Sequence, residues 1–563
     1  MRSKPAVPPP AVRHEQSAQD AAAEESAVAA PPPETAPGDD ESAAMPPEAP
    51  QPRNGTEIEL KLLVDPADMA AFETAPVIEE NARSRGVRRR LHAVYYDTRR
   101  RDLRRAGIAL RVRRSGNRYI QTVKSFVPDD PLRRGEWEAV VPDEALDLTL
   151  ALPFLPAKLR NRLLAQPPEP VFRTEIRRLI RTVTLPAGRV EVAFDVGRLI
   201  AGDAELPVAE IELELKDGAP QALYELALRL LDHGPARPSI LAKSARGYDL
   251  ADGTPPGAPK PRRPAVAADA ALDDALDAIF RAIFGHLLEA LPAAEDGRGP
   301  EGVHQARVAL RRLRSLFGLL RPVAPTPAME ALRAEAGRLA DALGNARDTD
   351  VFITETLKTV ETALPALGGF DALRQLAEAQ RAGHYAAARR ALADPRTSWF
   401  ILELGSWIEQ RAWRNGTEPD TLGILAAPAA DFAAATLAGL HDRVRKRGKH
   451  FRTMAPEARH RLRIAVKKLR YATDFLAPIL GESKALKRYL ARVATLQDQL
   501  GRYNDMATTA RIVSALSADP AAQNQAAGAI VGWQAQGLVG AEPGLRYAWE
   551  RFCEARPPWK RPD

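Results

Sequence analysis

Cysteine and aromatic residues are scarce in this chain of 563 residues. Its single cysteine, Cys553, excludes an internal disulfide framework and a metal site built from several cysteines. Aromatic residues make up only 6% of the chain. No run reaches the roughly 18 apolar residues that a membrane span needs, and the basic N-terminus is not followed by the apolar stretch of a secretion signal. These absences predict a cytoplasmic protein without a membrane partner.

Composition divides the chain into four segments. Residues 1–53 are rich in Pro, Ala and Glu, which predicts a disordered tail. Residues 54–252 alternate strand patterns with a few helices, and residues 253–268 form a Pro- and Gly-rich linker. Residues 269–555 are rich in Ala and Leu with helical periodicity, and ten helical segments are predicted between 269 and 516.

Two strand-like runs carry acidic residues at every second position. The first is Glu57-Ile-Glu59-Leu-Lys61, and the second is the run from Glu210 through Glu212 and Glu214 to Lys216. Because successive side chains of a strand point to opposite faces, each run places its charges on one face and its Ile and Leu residues on the other. Like charges in a row repel one another unless cations lie among them, and carboxylates suit hard divalent cations.

Other strand-like runs in the same segment supply basic residues. They are Leu110 to Arg113, Tyr119 to Lys124, Arg134 to Glu138, which carries both signs, and the run that contains Arg177 and Arg178. A further run, Val190 to Asp195, adds two more carboxylates. Six or more such strands predict an antiparallel β-barrel with a charged interior, which would enclose metal ions and a phosphate chain. The alternative is an ordinary half-exposed sheet with its charges in solvent.

The motifs of this segment resemble the CYTH domain of the triphosphate tunnel metalloenzymes. The resemblance runs in order from the Glu57-x-Glu59-x-Lys61 opening through Tyr95-Tyr96-Asp97-Thr98, Leu110 to Arg113, Thr122-Val-Lys124, Phe194-Asp195-x-Gly197 and Glu210 to Glu214, and ends at Lys243-Ser-x-Arg246-Gly247-Tyr248. It implies a barrel that holds a triphosphate.

The helical half contains a repeat. His304, Arg307, Arg311 and Arg314 are spaced by 3, 4 and 3 residues, and His460, Arg463, Lys467 and Arg470 have the same spacing. Each set forms one stripe on a helix. A Leu-Gly-x-x-x-Asp motif follows each stripe, at Leu343 to Asp348 and at Leu500 to Asp505. The repeat predicts a duplicated helical bundle, so the expected fold class is α+β: an antiparallel barrel followed by an all-α domain.

These helical motifs resemble the CHAD domain, which implies binding of long-chain polyphosphate by the eight stripe residues. A solvated basic face is the simpler alternative. Nucleic acid is the competing polyanion, and the stripes carry few aromatic residues for base stacking.

The order of the two domains resembles that of bacterial inorganic triphosphatases. The resemblance implies hydrolysis of inorganic tripolyphosphate to pyrophosphate and phosphate with Mg²⁺ or Mn²⁺, in the cytoplasm or at polyphosphate granules. The alternatives are a CYTH enzyme acting on a nucleoside or thiamine triphosphate, and a polyphosphate-binding protein without catalysis.

Residue types suggest roles within such a site. Glu57, Glu59, Glu212 and Glu214 are the predicted metal ligands. The predicted catalytic set is Glu57, Glu59, Lys61, Glu191 and Asp195, with Glu136 as a further candidate. The predicted triphosphate-binding cations are Lys61, Arg111, Arg113, Lys124, Arg134, Arg178, Lys243 and Arg246. Tyr95, Asp97 and Thr98 are expected to shape the fold.

Overall fold

The computed structural model describes residues 53–126, 132–264, 266–267, 269–416, 418–516 and 525–559. The predicted tail lies outside the described residues except for Arg53. No described helix is long and apolar enough to cross a membrane.

Within the described residues, nine antiparallel strands form the first domain. They are β1 (Arg53–Val64), β2 (Val87–Asp97), β3 (Ile108–Ser115), β4 (Arg118–Phe126), β5 (Arg133–Val141), β6 (Glu169–Leu185), β7 (Gly188–Ala201), β8 (Ala204–Gly218) and β9 (Ala236–Ser239). The order is β5-β4-β3-β2-β6-β7-β8-β1, and β1 also pairs with β5, which closes an eight-stranded barrel. The short β9 pairs with the end of β1. The predicted antiparallel barrel is therefore confirmed.

In the part of the chain that the structure describes, seven α-helices accompany the barrel. They are α1 (Met69–Glu73), α2 (Pro76–Asn81), α3 (Asp102–Arg105), α4 (Leu148–Ala151), α5 (Ala157–Ala165), α6 (Gln221–Leu231) and α7 (Lys243–Asp252). The apolar faces of β1, β7 and β8 turn outward, where Leu62, Phe194 and Ile211 pack with α6 in one buried cluster. The alternate residues, Glu59 and Lys61 among them, turn inward. The barrel thus has its apolar packing outside and its charges inside, as the alternation predicts.

Helices make up the second domain. They are α8 (Leu272–Asp296), α9 (Pro300–Leu320), α10 (Pro327–Ala342), α11 (Gly344–Val351), α12 (Lys358–Ala363), α13 (Phe370–Ala393), α14 (Pro395–Glu409), α15 (Pro419–Ala426), α16 (Ala429–Arg447), α17 (Pro456–Leu476), α18 (Lys484–Leu516) and α19 (Gln525–Cys553). A π-helical turn, Phe352–Leu357, connects α11 to α12. The predicted all-helical domain is confirmed.

Three details differ from the predicted helices. The break expected after residue 500 is absent, and α18 continues through Gly501. Helices α15 and α19 were not predicted. Helix α19 contains Pro543 and several glycines such as Gly528, and both residue types lower helix propensity.

The two domains share a hydrophobic core. Leu402 of α14 is fully buried in the cluster that covers the barrel. Tyr224 of α6 is also buried, and its ring lies so close to Gly405 of α14 that a Cβ there would approach a ring carbon at 2.2 Å. A larger residue at position 405 would therefore separate α6 from α14. The barrel and the helical domain depend on each other for this packing.

We expect Leu402→Ala to lower the free energy of unfolding by about 2–5 kcal/mol, because it leaves a cavity in a core that both domains line. Chemical denaturation followed by circular dichroism measures this. Leu422→Ala, at a leucine that is 46% exposed, is the control. An unchanged midpoint for Leu402→Ala would show that the interface contributes little.

A buried histidine gives the helical domain a predictable response to acid. His286 of α8 is 3% exposed, and its Nε2 lies 3.1 Å from Oε1 of Gln305. Burial, with a contribution from the charge of Arg312, lowers the pKa of His286 to about 4. The folded protein therefore favours the neutral ring, whereas the unfolded chain takes up a proton below its ordinary pKa of 6.5.

We expect His286 to lower the free energy of unfolding as the pH falls from 6.5 towards 4, because the unfolded chain binds a proton that the folded protein does not. The loss reaches roughly 3 kcal/mol, since each unit of pKa difference corresponds to about 1.4 kcal/mol. Urea unfolding at several pH values, compared between the parent and His286→Gln, isolates the effect from that of the carboxyl groups. His450→Gln, at an exposed histidine, is the control. Equal pH slopes in the parent and His286→Gln would contradict the prediction.

Candidate active site in the barrel

The barrel interior holds a continuous network of buried ion pairs. Lys61 donates to Glu59 at 2.9 Å and to Glu212 at 2.6 Å, joining β1 to β8. Arg134 of β5 donates to the other oxygen of Glu59 at 2.6 Å. Burial alone would raise the pKa of Glu59, but Lys61, Lys124 and Arg134 outweigh it and hold that pKa at about 2. Glu59 is therefore ionised at neutral pH.

A second part of the network surrounds Lys243, the first residue of α7. Its Nζ lies 2.6 Å from Asp195 and 3.1 Å from Glu212, and it also bonds to Glu210. Arg178 donates two hydrogen bonds of 2.6 Å to Asp195 and one of 2.5 Å to Glu212. Burial opposes ionisation of Glu212, but Lys243, Lys61 and Arg178 together lower its pKa well below the ordinary value.

Among the described residues, one group of carboxylates meets closely enough to hold a divalent cation. Asp195, Glu210 and Glu212 offer oxygens that lie within 4.8 Å of one another, around the ammonium of Lys243. In the sheet register, Glu214 lies opposite Glu59 on one side and opposite Glu191 on the other. Such a row repels itself without a cation, and carboxylate oxygens are the ligands that Mg²⁺ and Mn²⁺ prefer. The donor set therefore fits a hard divalent metal.

A further acidic position, Glu57, lies two residues before Glu59 on β1. Glu57 accepts from Lys124 at 2.7 Å, and Lys124 also lies 3.1 Å from Glu136. Burial is the main cause that raises the pKa of Glu57 to about 7, and the charges of Glu59 and Glu136 add to it. This carboxyl therefore exchanges its proton near neutral pH, unlike Glu59.

The remaining predicted barrel residues also lie within the interior. Arg113 lies 3.1 Å from Glu138, and Arg111 donates to the Tyr95 hydroxyl at 3.3 Å. Glu191 and Glu214 both pair with Lys216, at 3.6 and 2.5 Å. These contacts join residues of β2, β3 and β5 on one part of the barrel and residues of β7 and β8 on another.

Two features of the barrel interior were not part of the predicted site. Glu210 belongs to the acidic triad although it was not chosen as a ligand; its place in the alternating run was the available signal. Arg246 bonds to Glu210, so α7 contributes two cations to one carboxylate.

Asp97 accepts from the amides of Thr98, Leu103 and Arg104, which is a role in the fold, as expected.

The first stripe, His304, Arg307, Arg311 and Arg314, lies along α9. Arg307 is half-buried: it donates to the Ala340 carbonyl at 2.6 Å and packs on Gly344, where a Cβ would lie 2.9 Å from its Nη1. This contact explains the glycine of the Leu343-Gly344 motif. Burial and then the charge of Arg347 lower the pKa of His304, so its ring is neutral at pH 7.

The second stripe, His460, Arg463, Lys467 and Arg470, lies along α17, which packs against α9. His460 is exposed, and Arg470 pairs with Asp474 four residues later. Among the described residues, no atom lies within 4 Å of a Cβ built at Gly501, whereas Arg307 lies against its counterpart Gly344. The side chains of Asn504 and Asp505 lie outside the described residues. The two copies are therefore not equivalent in detail.

Comparisons with known proteins match both halves of the chain. The CYTH domain family matches residues 55–248, and the CHAD domain family matches residues 278–514. The uncharacterized protein Rv2226 of Mycobacterium tuberculosis is 28% identical over 467 residues, which cover 76% of this chain and 83% of that protein.

Two further relatives each cover part of the chain. The inorganic triphosphatase of Haemophilus influenzae is 39% identical over 82 residues, or 15% of this chain and 23% of that one. The crystal structure of the CHAD domain from the plant Ricinus communis is 31% identical, with a TM-score of 0.46, and the match covers 53% of this chain and 98% of that domain. The chain therefore belongs to the proteins that combine a CYTH domain with a CHAD domain.

Proposed function

We propose that the barrel hydrolyses inorganic tripolyphosphate to pyrophosphate and phosphate with Mg²⁺ or Mn²⁺. The observation that carries the proposal is the interleaving of buried carboxylates with buried arginines and lysines inside one closed barrel. A pure anion site needs the cations alone, whereas the acidic triad and the row of Glu59, Glu214 and Glu191 fit a metal beside the phosphates. The partial relative named inorganic triphosphatase supports the same reaction class.

The cations of the barrel interior would hold the phosphoryl oxygens and stabilise the charge that develops on them. Those within the network are Lys61, Arg111, Arg113, Lys124, Arg134, Arg178, Lys243 and Arg246. Lys61, Arg134 and Lys243 are buried, and such stabilisation is strongest where water is excluded.

The carboxylates would bind the metal and orient the attacking water. Glu59 and Glu212 are ionised at neutral pH and are the proposed ligands together with Glu57 and Glu214. A bound divalent ion would neutralise phosphate charge. Glu191 and Asp195 are the proposed further catalytic residues. Lys243 and Arg178, which pair with Asp195 and Glu212, would also bind the substrate's phosphates.

A screen of phosphate release tests the substrate. The full chain is offered tripolyphosphate, ATP, thiamine triphosphate and long-chain polyphosphate, each with Mg²⁺ and with Mn²⁺. We expect tripolyphosphate to give the highest kcat/KM. A preference for ATP or thiamine triphosphate would support the nucleoside or thiamine alternative. Release from none of them would support a binding protein without catalysis.

We further propose that the helical domain binds long-chain polyphosphate through its two stripes. The packing of α9 against α17 brings six basic residues and two histidines onto neighbouring helices. Close cations repel one another, and an extended polyanion relieves that repulsion. The site and the cytoplasmic, granule-associated location that it suggests are part of this proposal.

A further inference from the structure

Helix α7 packs against strands β6, β7 and β8 of the barrel and carries Lys243 and Arg246 in its first turn. Both side chains reach the acidic triad, through Asp195 and Glu210. The middle of α7 packs closely: a Cβ at Gly247 would lie 2.2 Å from the Phe172 ring, and Tyr248 is 2% exposed. The position of α7 therefore fixes where two interior cations lie.

The opposite end of α7 is held by two arginines from a short segment between β2 and β3. Arg104 donates at 2.5 Å to both Asp249 and Asp252. Arg101 donates two bonds, of 3.0 and 2.9 Å, to Asp252. The guanidinium carbons also lie 5.5 Å (Arg104) and 6.0 Å (Arg101) from the centre of the Tyr248 ring.

This arrangement is maintained against backbone strain. Arg101 has a φ of 57°, one of two positive values among the described residues that are not glycine. A left-handed conformation is unfavourable for a residue other than glycine. Asp97 fixes the segment by accepting from the amides of Leu103 and Arg104. The segment is thus built to present two arginines to α7.

An isolated, exposed ion pair contributes little to stability. The ion pairs between these two arginines and the two aspartates of α7 are instead partly buried and linked to one another. The four side chains are only 18–30% exposed, and two arginines share two carboxylates through four hydrogen bonds. We infer that Arg101 and Arg104 are positioning residues, which hold α7 so that Lys243 and Arg246 face the phosphates. The inference rests on the proposed function for its kinetic consequence.

The test uses Arg104→Gln in the full chain. Displacing Lys243 and Arg246 weakens substrate binding, so we expect the KM for tripolyphosphate to rise about tenfold with a smaller change in kcat. Arg104→Lys should recover part of the loss, because it keeps one charge. Arg99→Gln removes an arginine that is 84% exposed in the same segment and should behave as the parent.

A variant that lacks both α7 cations distinguishes a positioning role of Arg104 from a general effect on the stability of the protein. In a Lys243→Ala, Arg246→Ala double variant, Arg104→Gln should add less than about a twofold effect, because the groups it positions are gone. An equal loss in both backgrounds, or parental kinetics for Arg104→Gln, would overturn the inference.

Hydrogen exchange gives a readout that does not depend on catalysis. The backbone amides of residues 243–252 should exchange at least about tenfold faster in Arg104→Gln, whereas those of α6 should not change. Unaltered exchange in α7 would overturn the inference. If the parent released no phosphate from tripolyphosphate yet α7 loosened, the proposed function would fail and the positioning role would stand.

Discussion

Glu212→Gln is expected to lower kcat/KM for tripolyphosphate by about three orders of magnitude or more. Glu212 bonds to Lys61, Arg178 and Lys243 at once and belongs to the acidic triad. The amide keeps the volume but loses the charge that a divalent metal requires. Phosphate release at saturating Mg²⁺ or Mn²⁺ measures the effect. Glu59→Gln is expected to cause a similar loss.

Glu205→Gln is the matched control for Glu212→Gln. Glu205 lies on the same strand, β8, but its side chain is 50% exposed and pairs with Arg198 on the outside. It should retain parental activity. Thermal unfolding of all three variants shows whether the barrel remains folded. Near-parental rates for both Glu212→Gln and Glu59→Gln would mean that the acidic interior does not carry the reaction.

Replacing four basic residues of the two stripes by Ala is expected to weaken the binding of long-chain polyphosphate by roughly 100-fold or more near 0.1 M salt. The variant replaces Arg311, Arg314, Arg463 and Lys467 by Ala; Arg307 is kept because it packs on Gly344. Each lost phosphate contact should also reduce the salt slope of binding, by about 0.7 per contact for a flexible strand. Binding of labelled long-chain polyphosphate is measured with excess tripolyphosphate present, which occupies the barrel.

A control with the same change in charge removes four basic residues of the helical domain that lie off the stripes. These are Arg321, Arg396, Lys487 and Arg551, whose side chains are 44–67% exposed. The control should bind as the parent does. Equal affinity in the stripe variant and the parent would identify the stripes as solvated faces. Equal displacement by DNA at the same phosphate concentration would identify them as a general polyanion surface.

Strand alternation accounts for most of what the sequence predicts about the barrel. The period of two places Glu59, Lys61 and Glu212 inside, and the structure has them there, because a shift of one residue would bury the charges among Leu62 and Ile211. Alternation alone leaves Arg177 and Arg178 ambiguous, and the resemblance to the CYTH domain decides for Arg178; the structure has Arg178 inside and Arg177 exposed.

Contacts between distant segments could not be predicted in this way. Lys243 enters the acidic triad only because α7 packs against the barrel end, and no local pattern records that placement. The same holds for Leu402, a helical-domain residue in the core that covers the barrel. In the helical domain, Gly501 and the glycines of α19 look like helix ends in sequence, but tertiary packing keeps both helices continuous.

The products formed from tripolyphosphate test the central claim most directly. The full chain is incubated with tripolyphosphate and Mg²⁺ or Mn²⁺, and phosphorus-31 NMR follows all phosphate species with and without EDTA. The interleaved acids and cations of the barrel predict pyrophosphate and orthophosphate in equal amounts, and no turnover once the metal is chelated. Turnover that survives EDTA, or tripolyphosphate that remains intact with either metal, would contradict the account.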